Sequence, residues 1–350
     1  MEVDRYHRQV LLPQIGPKGQ AILGASRVLV VGCGALGCVI AEQLARAGVG
    51  SLVLVDRDVV EWTNLQRQTL FDESDARDAA PKAVAAKRRL ERVNSTIEVD
   101  ALVTDVHSGN IEQIAGLERG GTRVHLILDG TDNVETRYLL NDVCVKHSVL
   151  WVYGACVGTE GRVMAIRPGV TPCLRCVFPT PPSGTELPTC DTAGVLGPAA
   201  GVVASLQVVA AMRVLCGAAE AQAEERLLAI DVWTGRMRSV AAGARSPDCP
   251  TCGKRQFEFL DRADGPTAML CGRRAVQVRP SRSSAPFDLA AAEVKLTRVG
   301  LVQRTPYLLR CRLNDAADVE LTLFSDGRLI VTGTTDSDRA KSLYARYIGT

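Results

Sequence analysis

Two cysteine pairs are the most specific chemical signal in the chain: Cys173-Leu-Arg-Cys176 and Cys249-Pro-Thr-Cys252. A C-x-x-C spacing turns two thiols toward one point, and four thiolates complete a tetrahedral Zn²⁺ site. The long gap between the pairs means that such a site would join the two ends of a subdomain. A four-sulfur site has no open position, so its expected role is structural; a redox dithiol is the competing reading. The chain holds twelve cysteines. Its first residues, MEVDRYHRQV, offer no apolar segment of the signal type. Metal ligation or thiol chemistry is therefore expected rather than disulfides, and a cytoplasmic setting with it. Cys190 stands outside both pairs, in the loop sequence LPTCDTAG. Cys33, Cys38, Cys144, Cys156 and Cys216 fall in apolar elements and are expected to be buried. Cys271 and Cys311 have no partner in the pattern.

A second signal is GCGALG, which places Gly32, Gly34 and Gly37 in a G-x-G-x-x-G pattern. Glycines let the backbone turn tightly and approach a phosphate, and the following helix N-terminus supplies free N–H groups. Asp56 ends the next apolar run, where an acid would hold ribose hydroxyls. Alone, this fingerprint favours NAD. The residues beyond it favour a triphosphate. Residues 64–68, NLQRQ, bring Asn64 and Arg67, and Lys82 comes after Pro81 at a helix start. Asp129 and Asp132 sit in DGTDN at a strand end. Two cations offset phosphate charge and an Asp holds Mg²⁺, needs that a dinucleotide does not impose.

The elements that must position these residues are set by periodicity. Residues 27–31, RVLVV, and 51–56, SLVLVD, are apolar runs on either side of a helix from Cys38 to Ala47. Strand, glycine turn, helix, strand is a βαβ unit of a parallel sheet. Residues 96–103, 124–129 and 149–153 predict further strands. Lys82 to Val93 and Glu135 to His147 predict helices. The fold class expected is α/β: a Rossmann-like, mainly parallel sheet with helices on both faces, plus a small α+β C-terminal domain. Residues 1–260 form the first domain, 261–285 an Arg-, Ser- and Pro-rich linker, and 286–350 the second. The second is expected to hold helices at 288–298 and 336–347 and strands at 306–313, 319–324 and 328–332. Residues 179–194, rich in proline and glycine, predict a long loop.

Bulk properties narrow the class. Hydrophobic residues make up 46% and charged residues 23% of the 350, and the net charge is +2. Neither nucleic acid nor an anionic membrane is favoured as partner. Residues 194–206 lack charge, but Gly, Ala, Pro198 and Ser205 make them poorly hydrophobic. A buried helix from near Pro198 to near Gly217 is expected rather than a membrane span.

RYHRQ at 5–9, GCGALG, LVDRDVVEWTNLQRQTLF at 54–71, the Pro81-Lys82 pair, DGTDN, CLRC and LPTC together resemble the ThiF/MoeB/HesA family, bacterial relatives of ubiquitin-activating enzymes. The resemblance runs from about residue 4 to 260, in order. Ala35 stands where that family's pattern has glycine. The resemblance implies an ATP-dependent adenylyltransferase acting on the C-terminal carboxylate of a small ubiquitin-fold sulfur-carrier protein. It implies that Asp56 holds the ribose, that Asn64, Arg67 and Lys82 contact the phosphates, and that Asp132 is the magnesium-associated carboxylate. Arg8, in RYHRQ, matches an arginine that reaches into the partner protomer's ATP site, which implies a homodimer. Cys190 matches a thiol that in many members attacks the activated carrier and in others is dispensable. A cysteine desulfurase or other sulfur donor is the implied second partner. Three other readings stay open here: an activating enzyme for a ubiquitin-like protein modifier, an NAD-dependent oxidoreductase, and a zinc-stabilised binding module.

Overall fold

The computed structural model describes residues 5–181, 190–217, 226–262, 267–270, 274–279, 287–316 and 318–349. The chain divides into two compact units, Met1–Ala263 and Asp264–Thr350.

The first unit is built on an eight-stranded sheet of order β3-β2-β1-β4-β5-β6-β7-β8. Its strands are β1 (Arg27–Val31), β2 (Ser51–Val55), β3 (Glu98–Leu102), β4 (Leu126–Asp129), β5 (Leu150–Val157), β6 (Glu160–Ile166), β7 (Arg226–Asp231) and β8 (Arg236–Ala241). The first five are parallel; β6 to β8 add on antiparallel. The parallel strands read as continuous apolar runs because both of their faces are covered. Val28, Val30, Leu52, Leu54, Leu126 and Leu128 face one core with helices Ala35–Ala47, Lys82–Val93 and Gly197–Leu215. Leu29, Val31, Val53, Val55 and Ile127 face the other, against helix Val134–His147. Strand order reverses between β1 and β4. That reversal is the topological switch point, at whose crevice open α/β sheets bind their ligands.

Gly197–Leu215 is long and apolar enough to cross a membrane by length and composition. Here it packs on the first core through Ala199, Ala200, Val203, Ala204, Val208 and Ala211. Gly161 admits it: a Cβ there would lie 2.0 Å from the Val203 side chain. Cys33, Cys38, Cys144 and Cys156 are buried, and Cys216 is half-buried.

The second unit is a six-stranded antiparallel sheet of order β11-β12-β13-β14-β10-β9. Its strands are β9 (Thr267–Leu270), β10 (Ala275–Val278), β11 (Gly300–Arg304), β12 (Leu308–Leu313), β13 (Glu320–Phe324) and β14 (Leu329–Thr332). Helices Leu289–Leu296 and Ser337–Tyr347 pack on one core with Val276, Leu309, Leu321 and Val331. The stretch 261–285 expected as linker instead carries β9 and β10, which pair with each other, while β10 also pairs with β14. Ala275, Val276 and Val278 of that stretch are buried, so backbone pairing and apolar burial override its polar composition there.

Two glycine positions decide whether the first sheet can form its crevice. A Cβ on Gly37 would lie 1.8 Å from the Gly32 carbonyl oxygen, and one on Gly130 would lie 2.5 Å from the same atom. Gly37→Ala is expected to cost about 1–3 kcal/mol, the range for forced overpacking. Urea unfolding should show it as a lowered midpoint; an unchanged midpoint would contradict the close approach.

Candidate nucleotide site and cysteine cluster

The glycine turn runs from the end of β1 into helix Ala35–Ala47. Gly32 adopts a left-handed φ of 89°, and its N–H donates to the Val55 carbonyl at the end of β2. A Cβ there would meet the Gly130 carbonyl oxygen at 2.8 Å. Gly34 caps the helix with no side chain, leaving the N-terminal N–H groups open to an anion. Ala35 opens that helix.

Asp56 lies one residue past β2 and locks the turn in place. Its Oδ2 accepts from Cys33 N–H at 2.7 Å, and its Oδ1 accepts from Asp58 N–H at 2.7 Å. Burial pushes its carboxyl above the usual range, while Lys82 pulls the other way. Lys82 is buried at the first turn of helix Lys82–Val93, and its Nζ lies 3.5 Å from Asp58 Oδ2. Burial drives Cys33 and Cys38, beside the turn, away from thiolate; Cys38 is pushed up to about 12. Both are buried thiols held in the neutral form.

Asn64 and Arg67 sit on and just after a short turn, Trp62–Asn64, in the segment beyond β2. Asn64 is buried and its Oδ1 accepts from Glu61 N–H, closing a capping box. Arg67 is half-buried; its Nη1 donates to the Thr63 carbonyl, and its backbone lies against Gly197, the first residue of the long helix.

The two acids of DGTDN part company. Asp129 is fully buried and accepts from Thr131 N–H, Thr131 Oγ1 and Arg137 Nε. Burial raises its pKa and Arg137 opposes the rise. It is committed to holding the loop. Asp132 is exposed and is the acid that can meet a cation. Gln207 of the long helix donates to the Asp129 carbonyl at 2.8 Å, which fixes the loop from below.

Arg57, Asp58, Gly130 and Arg137 also belong to this edge, although residue type and motif spacing gave them no role. Gly130 lies inside DGTDN, where the acids are the conspicuous residues. Arg137 follows Asp129 by eight residues, a spacing that places it one turn into the next helix. Arg8 is exposed in helix His7–Val10. Tyr6 packs on Gly48, and Gln9 Nε2 donates to the Ala47 carbonyl. That is the far end of helix Ala35–Ala47, whose thirteen residues span about 20 Å. Arg8 therefore does not join its own chain's glycine turn.

The cysteines of the two pairs do converge. Sγ–Sγ separations are 3.4 Å for Cys176–Cys252, 3.6 Å for Cys173–Cys249 and 3.9 Å for Cys173–Cys176. All four sulfurs lie within 4.8 Å of one another, the one such cluster among the described residues. Zn–S bonds of about 2.3 Å put tetrahedral sulfurs roughly 3.8 Å apart, so the donor set fits zinc. Helix Val134–His147 ties both knuckles down. Asn141 Oδ1 accepts from Leu174 N–H, and Asp142 accepts from Thr251 Oγ1 and Phe259 N–H. Without a cation, burial and the neighbouring sulfurs push Cys173 far up. Cys190 opens a four-residue helix, Cys190–Ala193; its side chain, the preceding loop 182–189 and Cys271 lie outside the described residues.

Known proteins match this arrangement. A model of the ThiF family matches residues 6–251. The Bacillus subtilis (strain 168) protein named sulfur carrier protein ThiS adenylyltransferase is 43% identical over 348 residues, covering 99% of each chain. The Haloferax volcanii SAMP-activating enzyme E1 is 38% identical over 264 residues, 75% of this chain and 93% of that one. Among solved structures, Escherichia coli MccB with AMPCPP and MccA aligns with a TM-score of 0.62. It covers 72% of this chain and 75% of that chain at 22% identity, a likeness that bears on the fold. By family match and by near full-length identity, the chain belongs to the ThiF family.

Proposed function

We propose that the chain is an ATP-dependent adenylyltransferase that activates the C-terminal glycine carboxylate of a ThiS- or MoaD-type sulfur-carrier protein. The observation that carries this reading is the convergence at the β1/β4 crevice. A backbone cradle, a ribose-type acid, a buried lysine and an exposed acid arrive there from four separate segments. The 43% identity along nearly the whole chain to a carrier adenylyltransferase supports the same choice.

The chemistry is dictated by charge. The carrier carboxylate is already ionised at neutral pH and needs no base to attack the α-phosphate of ATP. Asp56 holds the ribose, and Gly32, Gly34 and Gly37 let the backbone approach the phosphates. Lys82, Arg67 and Asn64 offset and orient the negative charge that grows as pyrophosphate leaves. Asp132 would hold Mg²⁺, which supplies further neutralisation of the phosphates. The product is an acyl-adenylate. A sulfur donor such as a cysteine desulfurase product, or Cys190 first, then displaces AMP. Cys173, Cys176, Cys249 and Cys252 would hold zinc as a structural clamp. The cytoplasm, which keeps thiols reduced, suits this chemistry.

Arg8 acts in trans. It is anchored about 20 Å from its own cradle, so an exposed arginine there serves a second protomer's site in a homodimer. A second substrate reading, a ubiquitin-like modifier, draws on the 38% identity to an activating enzyme E1. Adenylation chemistry is the same for both.

The wild-type chain should catalyse ATP–pyrophosphate exchange with a ThiS- or MoaD-type carrier from its own genome, and exchange with none would refute the reading. Lys82→Met should lower exchange by about 10²-fold or more, the scale of losing one charge-stabilising group. Arg8→Ala and Lys82→Met should each be inactive, yet an equal mixture should regain about a quarter of wild-type activity through mixed dimers. No recovery on mixing would place Arg8 elsewhere. Purified protein should release about one zinc per chain on thiol modification, and Cys249→Ser should release none and unfold at lower urea. A metal-free wild type of equal stability would remove the clamp.

A further inference from the structure

Arg57 follows Asp56 at the end of β2, on the same edge as the glycine cradle. The adenylation chemistry leaves it without a task. Its Nη1 donates to Asp105 Oδ1 at 3.0 Å, just beyond β3. Its Nε lies 4.0 Å from Asp58 Oδ1. The Asp58 carboxylate also holds Lys82, Nζ–Oδ2 at 3.5 Å, and the two backbones are joined by Lys82 N–H donating to the Asp58 main-chain carbonyl at 2.9 Å. One carboxylate is therefore shared by two cations. Only one of them, Lys82, is wanted by the phosphates.

Four acids, Asp56, Asp58, Asp105 and Asp132, occupy this edge, with Arg57 and Lys82 among them. An incoming triphosphate must take Lys82 away from Asp58. It does so against the repulsion of every acid left unneutralised. The Arg57 side chain is 23% exposed, so it acts on Asp58 in a partly dehydrated setting where a contact of this length weighs far more than it would in water. Burial works against its charge, and Asp105, Asp58, Asp132 and Asp56 outweigh that, so the guanidinium stays charged.

We propose that Arg57 is a positioning residue that holds the Asp58 carboxylate, so that Lys82 is free to leave it for the triphosphate. This rests on the adenylation reading of the same site. It assigns Asp58 the role of a parking place for Lys82 before ATP binds, and Arg57 that of the group that keeps the parking weak. Without Arg57, Lys82 is locked on Asp58, and ATP meets the same acids with one cation fewer. If Arg57 only tied the loops after β2 and β3 together through Asp105, its removal would loosen the edge and weaken every ligand alike.

The test uses the full chain carrying Arg57→Met, Arg57→Lys, and Arg57→Met with Asp58→Asn. ATP binding is measured by calorimetry in EDTA. Mn²⁺ binding is measured by electron paramagnetic resonance without nucleotide. Arg57→Met is expected to weaken ATP about tenfold, the effect of one charge contact. Adding Asp58→Asn should restore most of that loss, because Lys82 is released. Arg57→Lys should stay within about threefold of wild type. Mn²⁺ should bind Arg57→Met no more weakly than wild type, since the acids it meets are less neutralised. A double variant no better than the single, or ATP and Mn²⁺ weakening together, would overturn the proposal. Carrier-dependent exchange by the wild-type chain separates that result from a failure of the adenylation reading itself.

Discussion

At the ends of β1 and β4 two loops approach at distances that only glycine permits. The Gly32 carbonyl sits where a side chain on Gly37 or on Gly130 would have to be. Everything at the crevice depends on this contact. It brings the helix N-terminus to the sheet edge, places Asp129 beneath the loop where Arg137 and Gln207 hold it, and leaves Asp132 outside. A parallel sheet forces the loop that leaves each strand to the same edge, so the residues beyond β1, β2, β3 and β4 meet without being near in sequence.

Electrostatics then set a second condition. The acids and cations of this edge are few and shared, and most are partly removed from water. Asp56 spends both oxygens on backbone N–H groups that fix the turn. Its carboxylate thereby shapes the cradle. Lys82, buried at the start of its helix, rests on Asp58, the carboxylate that Arg57 also approaches. The cysteine cluster lies in the core that helix Val134–His147 covers. Asn141 and Asp142 of one helix tether both cysteine knuckles, so the far strands and the core share one support.

The parallel half of the first sheet is legible in sequence because strands buried on both faces read as unbroken apolar runs, and a glycine turn marks the crossing to the helix. The cysteine cluster is legible from spacing alone. β6, β7 and β8 are not. β8, Arg236-Met-Arg-Ser-Val-Ala241, is exposed at every position and carries no alternation to read. β9 and β10 lie in a stretch whose Arg, Ser and Pro content masks its short apolar runs, and β11 carries an exposed Leu301 where burial is the cue. At the site, residue types are readable but their division of labour is not. Asp129 and Asp132 are chemically alike, and only burial tells the structural acid from the free one. The sharing of Asp58 between Arg57 and Lys82 joins two segments far apart in sequence, a pairing that no local pattern encodes.

If this crevice joins AMP to a carrier's C-terminal carboxylate, the product can be weighed. Intact-mass spectrometry of the carrier, after incubation with the chain and Mg·ATP in the absence of a sulfur donor, tests that claim most directly. The expected result is a carrier heavier by one adenylyl group, with the added mass lost when the C-terminal glycine is removed. A carrier of unchanged mass, beside a chain that binds ATP, would contradict it.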